Sequence, residues 1–176
     1  KQSFDLNYTF ENGVTIPLTL GYETYGQLNE KRDNVVYVAH YFSASSHAAG
    51  KYDENDAAPG YWDALIGPGK TIDTNTFFVV SIDNICNVAP HNPNVITTGP
   101  LSINPTTNQP YGLDFPVFTY LDMAKIAHEF LTTQLHITQL HLAIGASAGG
   151  FQVLELACEY PDFVQRVAGV ITNAQN

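Results

Sequence analysis

From Asn34 onward, short apolar runs alternate with longer stretches in which apolar residues recur every three or four positions. Asn34-Val35-Val36-Tyr37-Val38-Ala39-His40, Phe77 to Asp83, Leu140 to Gly145 and Val167 to Thr172 are nearly unbroken apolar segments of strand length. Such segments predict strands buried on both faces, as in a parallel sheet. Tyr120 to Leu135 and Ala148 to Tyr160 place residues such as Ala124, Ala127, Leu131 and Phe151, Leu154, Cys158 at helical spacing, which predicts two helices. Pro161 stops the second, because proline cannot continue a helix. Tyr61 to Ile66 predicts a short third helix. The start of the chain reads differently. Thr15 to Tyr25 alternates apolar with polar residues, as a half-buried strand does, and Pro17 predicts that it lies at a sheet edge. Lys1 to Asn7 alternates in the same way. Strands alternating with helices imply an α/β architecture, a mostly parallel sheet with helices on both faces. A length of 176 residues without internal repeats suits one domain, residues 1–176.

The segment from Asn84 to Pro116 breaks this rhythm. It holds six prolines and many Asn, Thr and Gly residues. A loop of this length inside a compact domain is usually functional, so it is expected to border the site. No apolar run approaches the ~18–20 residues of a membrane span. Seventeen acids against seven bases give a formal charge of −10, which repels phosphate backbones and argues against nucleic-acid binding. Cys86 and Cys158 form neither a C-x-x-C pair nor a zinc pattern, and are expected to be reduced thiols. With no apolar signal-peptide core at the start, a cytoplasmic setting is expected.

The most informative residues are Gly145-Ala146-Ser147-Ala148-Gly149, a G-x-S-x-G sequence. A strand leads straight into it and a helix leads straight out. In this context the serine sits on a sharp strand-to-helix turn that lifts its hydroxyl above the sheet, as a nucleophile. The helix start behind it supplies backbone N–H donors and a positive dipole end. A second donor in such sites comes from the loop after an earlier strand. Here that loop is Tyr41 to Gly50, and the backbone N–H of Phe42, paired with that of Ala148, is the expected oxyanion hole.

Four stretches, of which the second and third are more specific than the serine turn, carry a likeness. They are His40 to Gly50, Thr98-Gly99-Pro100-Leu101-Ser102-Ile103-Asn104-Pro105, Pro110-Tyr111-Gly112-Leu113-Asp114-Phe115-Pro116, and Gly145 through Leu156 with Tyr160-Pro161-Asp162. On these residues the chain resembles the homoserine O-acetyltransferase family of the α/β-hydrolase superfamily. The resemblance covers nearly the whole chain but about the first half of a family member. Ala146 and Ala148 stand where the family usually has Gly and Met, and Tyr41-Phe42-Ser43-Ala44 where it usually reads Ala-Leu-Thr-Gly.

The resemblance implies a ping-pong transfer. Ser147 would take the acetyl group of acetyl-CoA, with the N–H groups of Phe42 and Ala148 holding the oxyanion, and pass it to the hydroxyl of homoserine, a step of methionine biosynthesis. Acetyl-CoA would be a substrate, with no bound cofactor and no metal. The partners would be small molecules, the acyl-CoA and a homoserine-like alcohol. Family members are often dimers, so a homodimer of the complete protein is implied as well. An esterase on the same frame and a non-catalytic module are the competing readings.

In this fold the triad runs Ser, then Asp or Glu, then His along the chain. Glu155, Glu159 and Asp162 follow Ser147, but no histidine does. The chain is therefore expected to be a fragment that lacks the last strands, the lid and both triad partners, and to be inactive alone. Upstream, His40 is expected to make a structural hydrogen bond, and His47 to be a loop residue. His91 is expected to be solvated, His128 and His141 to be structural, and His136 to follow a helix end. Asp83, at a strand end, is expected to form a turn.

Overall fold

The computed structural model describes residues 1–173. In chain order the strands are β1 (Gln2–Thr9), β2 (Thr15–Tyr25), β3 (Val35–Ala39), β4 (Ile66–Gly67), β5 (Ile72–Asp73), β6 (Phe78–Ile82), β7 (Ile103–Asn104), β8 (Gln109–Pro110), β9 (Leu140–Ala146) and β10 (Val167–Val170). The helices are α1 (Tyr120–Glu129) and α2 (Ala148–Glu159). The main sheet runs β1-β2-β6-β3-β9-β10. Its four strands from β6 to β10 are mutually parallel, and β1 and β2 join as an antiparallel hairpin. The short pairs β4–β5 and β7–β8 lie outside it.

All five residues of β3 are buried, as an unbroken apolar strand between two parallel neighbours should be. Its alternate side chains serve two cores. Val35, Tyr37 and Ala39 pack with Phe4, Leu18, Leu20, Phe130, Val153 and Leu156. Val36 and Val38 pack with Val79, Ala48, Ala49, Ile66 and Ile72 on the opposite face. Burying each such side chain contributes roughly 1.5–3 kcal/mol. Of the two helical layers expected, the described residues supply one: α1 and α2 cover the first face. On the second face, turns and the β4–β5 pair between Ala48 and Phe77 do the covering.

Three local expectations change. The strand with Pro17 is internal to the sheet, not at its edge. Pro17 is tolerated because β6 reaches only Tyr22 to Tyr25 of β2, leaving the earlier part with one strand neighbour. Thr19 and Gly21, in phase with Pro17, send their N–H groups away from β1 to Thr98 Oγ1 and the Ile96 carbonyl. Pro17, lacking an N–H, falls on that side. The helix expected at Tyr61 to Ile66 is a series of turns between Pro59-Gly60 and Gly67-Pro68. At Ile66 the chain leaves the turns to pair with Ile72, so no helix continues. The helix expected to reach Leu135 is regular only to Glu129 and ends in a wide π turn over Phe130–Gln134. There the hydroxyls of Thr132 and Thr133 bond the carbonyls of His128 and Glu129, competing with the backbone ladder. Among the described residues no helix is long and apolar enough to cross a membrane.

Candidate active site

Ser147 stands between the last residue of β9 and the first of α2 with φ 51° and ψ −118°, a conformation that non-glycine residues rarely hold. Three neighbours keep it there. A Cβ on Gly145 would lie 2.2 Å from the Gly149 carbonyl oxygen, and one on Gly149 would lie 2.1 Å from the carbonyl oxygen of Ala39. The two glycines of the motif thus let the start of α2 close over its own strand and press against the end of β3. The Ser147 N–H donates to the Val170 carbonyl of β10 at 2.9 Å. The Ser147 side chain is exposed and caps nothing. Its hydroxyl is therefore presented outward.

The contact of Gly149 with Ala39 brings the loop after β3 beside the start of α2. Phe42 and Ala148 both line a cavity of about 300 Å³. Phe42 itself is 70% exposed. Among the described residues, neither the Phe42 nor the Ala148 N–H donates to a backbone carbonyl outside the helices and strands. Of the three sequence-predicted residues, Phe42 and Ala148 thus share one cavity wall, and Ser147 directly precedes Ala148 in the chain. Ala44 is absent from the positive-φ residues, so the loop asks no glycine of it.

The rest of the cavity wall comes from two places. Ile85, Cys86 and Asn87 open the proline-rich loop, which therefore does border the site, and Phe118 to Tyr120 with Met123 begin α1. Thr119 caps that helix reciprocally with Asp122. Burial pushes the Cys86 thiol up to about 11, so it is protonated at neutral pH and no nucleophile.

Of the histidines, His40 lines the same cavity but its ring is taken up by structural hydrogen bonds. His40 is buried; its Nε2 accepts from the Asn84 N–H at 3.1 Å, which leaves Nδ1 to donate to the Tyr41 carbonyl at 2.8 Å. Burial lowers its pKa and holds it neutral. It ties the end of β3 to the exit of β6, a structural role as expected. His47 stacks on Tyr52 with ring centroids 4.0 Å apart and pairs with Glu23 at 2.9 Å. His128 stacks on Tyr160, and His141 lies against Phe77. His136 takes φ 52°, as the residue after a helix end often does. Among the described residues no cluster of His, Cys, Asp or Glu could hold a metal.

Asp83 does more than the expected turn. It is fully buried and accepts the N–H groups of Ser46 (2.7 Å) and Ile96 (2.9 Å) and the ammonium of Lys1 (2.9 Å). Beside it, Glu23 is buried among Lys1, Tyr25, His47 and Tyr52. The sequence singled out Asp83 but not Glu23. The face of β2 that holds Glu23 is exposed from Thr15 to Thr19 and is covered only from Gly21 on. Alternation therefore reads Glu23 as a solvent residue.

A model of the α/β-hydrolase fold matches residues 92–175. The homoserine O-acetyltransferase of Solidesulfovibrio magneticus is 44% identical over 178 residues, covering 98% of this chain and 42% of that protein. Among solved structures, homoserine O-acetyltransferase from Bacillus anthracis superposes with a TM-score of 0.97 at 57% identity, over 99% of this chain and 47% of that one. Esterase E22 superposes at 0.96 and 49% identity, over 99% and 48%. The chain spans less than half the length of these relatives. It has the α/β-hydrolase fold and, along nearly its whole length, is similar to the amino-terminal part of homoserine O-acetyltransferases.

Proposed function

We propose that this chain carries the nucleophile half of an acyltransferase that moves an acetyl group from acetyl-CoA to the hydroxyl of homoserine. The observation that carries the reading is Ser147, held in a strained turn beside a cavity lined by Phe42 and Ala148. A histidine paired with an acid, supplied from outside residues 1–176, removes the Ser147 hydroxyl proton. The serine oxygen attacks the thioester carbon, and the N–H groups of Phe42 and Ala148 stabilise the oxyanion; one such donor contributes about 3 kcal/mol. The carbon–sulfur bond breaks, and the thiolate leaves with the proton held by the histidine. The same histidine then takes the proton of the homoserine hydroxyl, whose oxygen attacks acetyl-Ser147. Ser147 recovers a proton and O-acetylhomoserine departs.

Both partners are small molecules. We likewise propose a homodimer of the complete protein and a reducing, cytoplasmic setting, the latter in keeping with the free thiols of Cys86 and Cys158. No step calls on a metal or bound cofactor.

The 49% identity to esterase E22 favours hydrolysis as the second reading. Incubating the complete protein with acetyl-CoA, with and without homoserine, separates the two. O-acetylhomoserine formed in step with free CoA supports the transferase. Acetate released at a rate indifferent to homoserine replaces it with the esterase.

A further inference from the structure

The loop that carries Phe42 is held from behind by the buried polar cluster, and one hydroxyl supplies two of the bonds that hold it. The Tyr25 oxygen accepts the N–H groups of Ala48 at 3.0 Å and Ala49 at 3.2 Å. Its single proton goes to Glu23 Oε2 at 3.0 Å. A phenol has one proton to give and oxygen lone pairs to receive with. With its proton committed to Glu23, those lone pairs face the loop.

Glu23 is itself fixed. Its Oε2 also receives His47 Nδ1 at 2.9 Å, and its Oε1 meets the Tyr52 hydroxyl and the Lys1 ammonium, the latter at 3.2 Å. Burial alone would raise its pKa, but the bonds from His47 and Tyr52, the Lys1 charge and the Tyr25 bond outweigh that and hold the carboxyl ionised. Lys1 also reaches Asp83, which grips the Ser46 N–H. Further along, Gly50 donates to Asp63, and the Ala44 carbonyl accepts from Asn87. Ala44 and Ser46 to Gly50 are thereby clamped, while Phe42 projects into solvent at the cavity.

We propose that Tyr25, oriented by Glu23, is a positioning residue of the oxyanion hole: it sets the path of the loop behind Phe42 and so the aim of the Phe42 N–H. This rests on the assignment of Ser147 as nucleophile. Misplacing a catalytic group by about 1 Å costs on the order of 100-fold in rate, so a loosened loop should cost less than that but remain measurable.

The test uses the complete protein as wild type, Tyr25→Phe and Glu23→Gln. Titration of Ser147 with a fluorophosphonate counts competent sites, and p-nitrophenyl acetate turnover is expressed per titrated site. For Tyr25→Phe, kcat per site should fall about tenfold with KM within twofold. For Glu23→Gln, which keeps the shape but weakens the hold on the hydroxyl, the fall should be about threefold. A lower melting temperature with unchanged kcat per site in both variants would reduce Tyr25 to a structural role and overturn the proposal. If Tyr25→Phe does not fold, the same criterion applies to Glu23→Gln. A wild type that labels no better than Ser147→Ala overturns the nucleophile assignment together with this proposal, an outcome distinct from failure of the proposal alone.

Discussion

A methyl group on Gly149 would sit 2.1 Å from the carbonyl oxygen of Ala39 and 2.8 Å from that of His40. Both obstacles are backbone atoms of a central strand and its exit, so neither can rotate away. Gly149→Ala should therefore push the start of α2 off β3, at a cost of about 3 kcal/mol or more, the upper end of overpacking penalties. Gly50→Ala is the comparison, because Gly50 has φ 72° but open space around it. Its cost should be that of a left-handed residue alone, about 1–2 kcal/mol. Urea unfolding of the two variants should rank them in that order; equal midpoints would mean that the contact with β3 relaxes at little cost.

Backbone strain at Ser147 predicts an exchange of stability for chemistry. A residue held in so sparse a conformation costs about 1–3 kcal/mol. Glycine reaches φ 51°, ψ −118° without a Cβ penalty but loses about 0.5–1 kcal/mol to its looser unfolded chain. Ser147→Gly should thus be about 1 kcal/mol more stable than wild type and should lose all fluorophosphonate labelling. A variant less stable than wild type would show that the Ser147 conformation is relaxed.

Buried pairing between Tyr37 and Gln152 predicts a coupled loss. Gln152 Nε2 donates to the Tyr37 hydroxyl at 2.9 Å and to the Met123 carbonyl at 3.3 Å, and both side chains are fully buried. Tyr37→Phe leaves the amide one partner and should cost about 1 kcal/mol. Gln152→Ala strips the hydroxyl and opens a cavity, and should cost about 3 kcal/mol. The double variant should be more stable than the sum of the singles implies, since the orphaned hydroxyl is then gone. Strict additivity in a double-mutant cycle would sever the pair.

Acid should destabilise the fold in two stages. Burial holds His40 and His128 below the ordinary histidine value of 6.5 in the folded state. The unfolded chain binds protons there that the folded chain refuses, so stability falls as pH drops through about 6.5. Glu23 is held below its ordinary 4.5, so its contribution is present above that value and is lost as pH falls further, through its folded pKa. Melting temperatures should be level near neutrality, decline from about 6.5, and decline more steeply below about 4.5. A plateau extending down to pH 5 would remove the histidines from the account.

Much of the molecule was legible in the chain by itself. The unbroken apolar run at Val35 to Ala39 could be little other than a doubly buried strand, and burial of its alternate residues in two cores bears that out; Leu140 to Gly145 forms its partner strand but is only partly buried. Gly145-Ala146-Ser147-Ala148-Gly149 announced its turn by its spacing; Gly145 answers a local contact with Gly149, whereas Gly149 answers the distant backbone of Ala39. The tertiary structure decided what depends on distant partners. Tyr61 to Ile66 has helical composition, but Ile66 is drawn into pairing with Ile72. Pro17 lies in an internal strand because β6 stops short of it. Glu23 and Asp83, which alternation and turn preference would give to solvent, are buried beneath a loop more than twenty residues away in sequence. Local periodicity reports which face of an element is apolar. Only the assembled fold determines which polar residues gain enough hydrogen bonds and opposite charge to be worth burying.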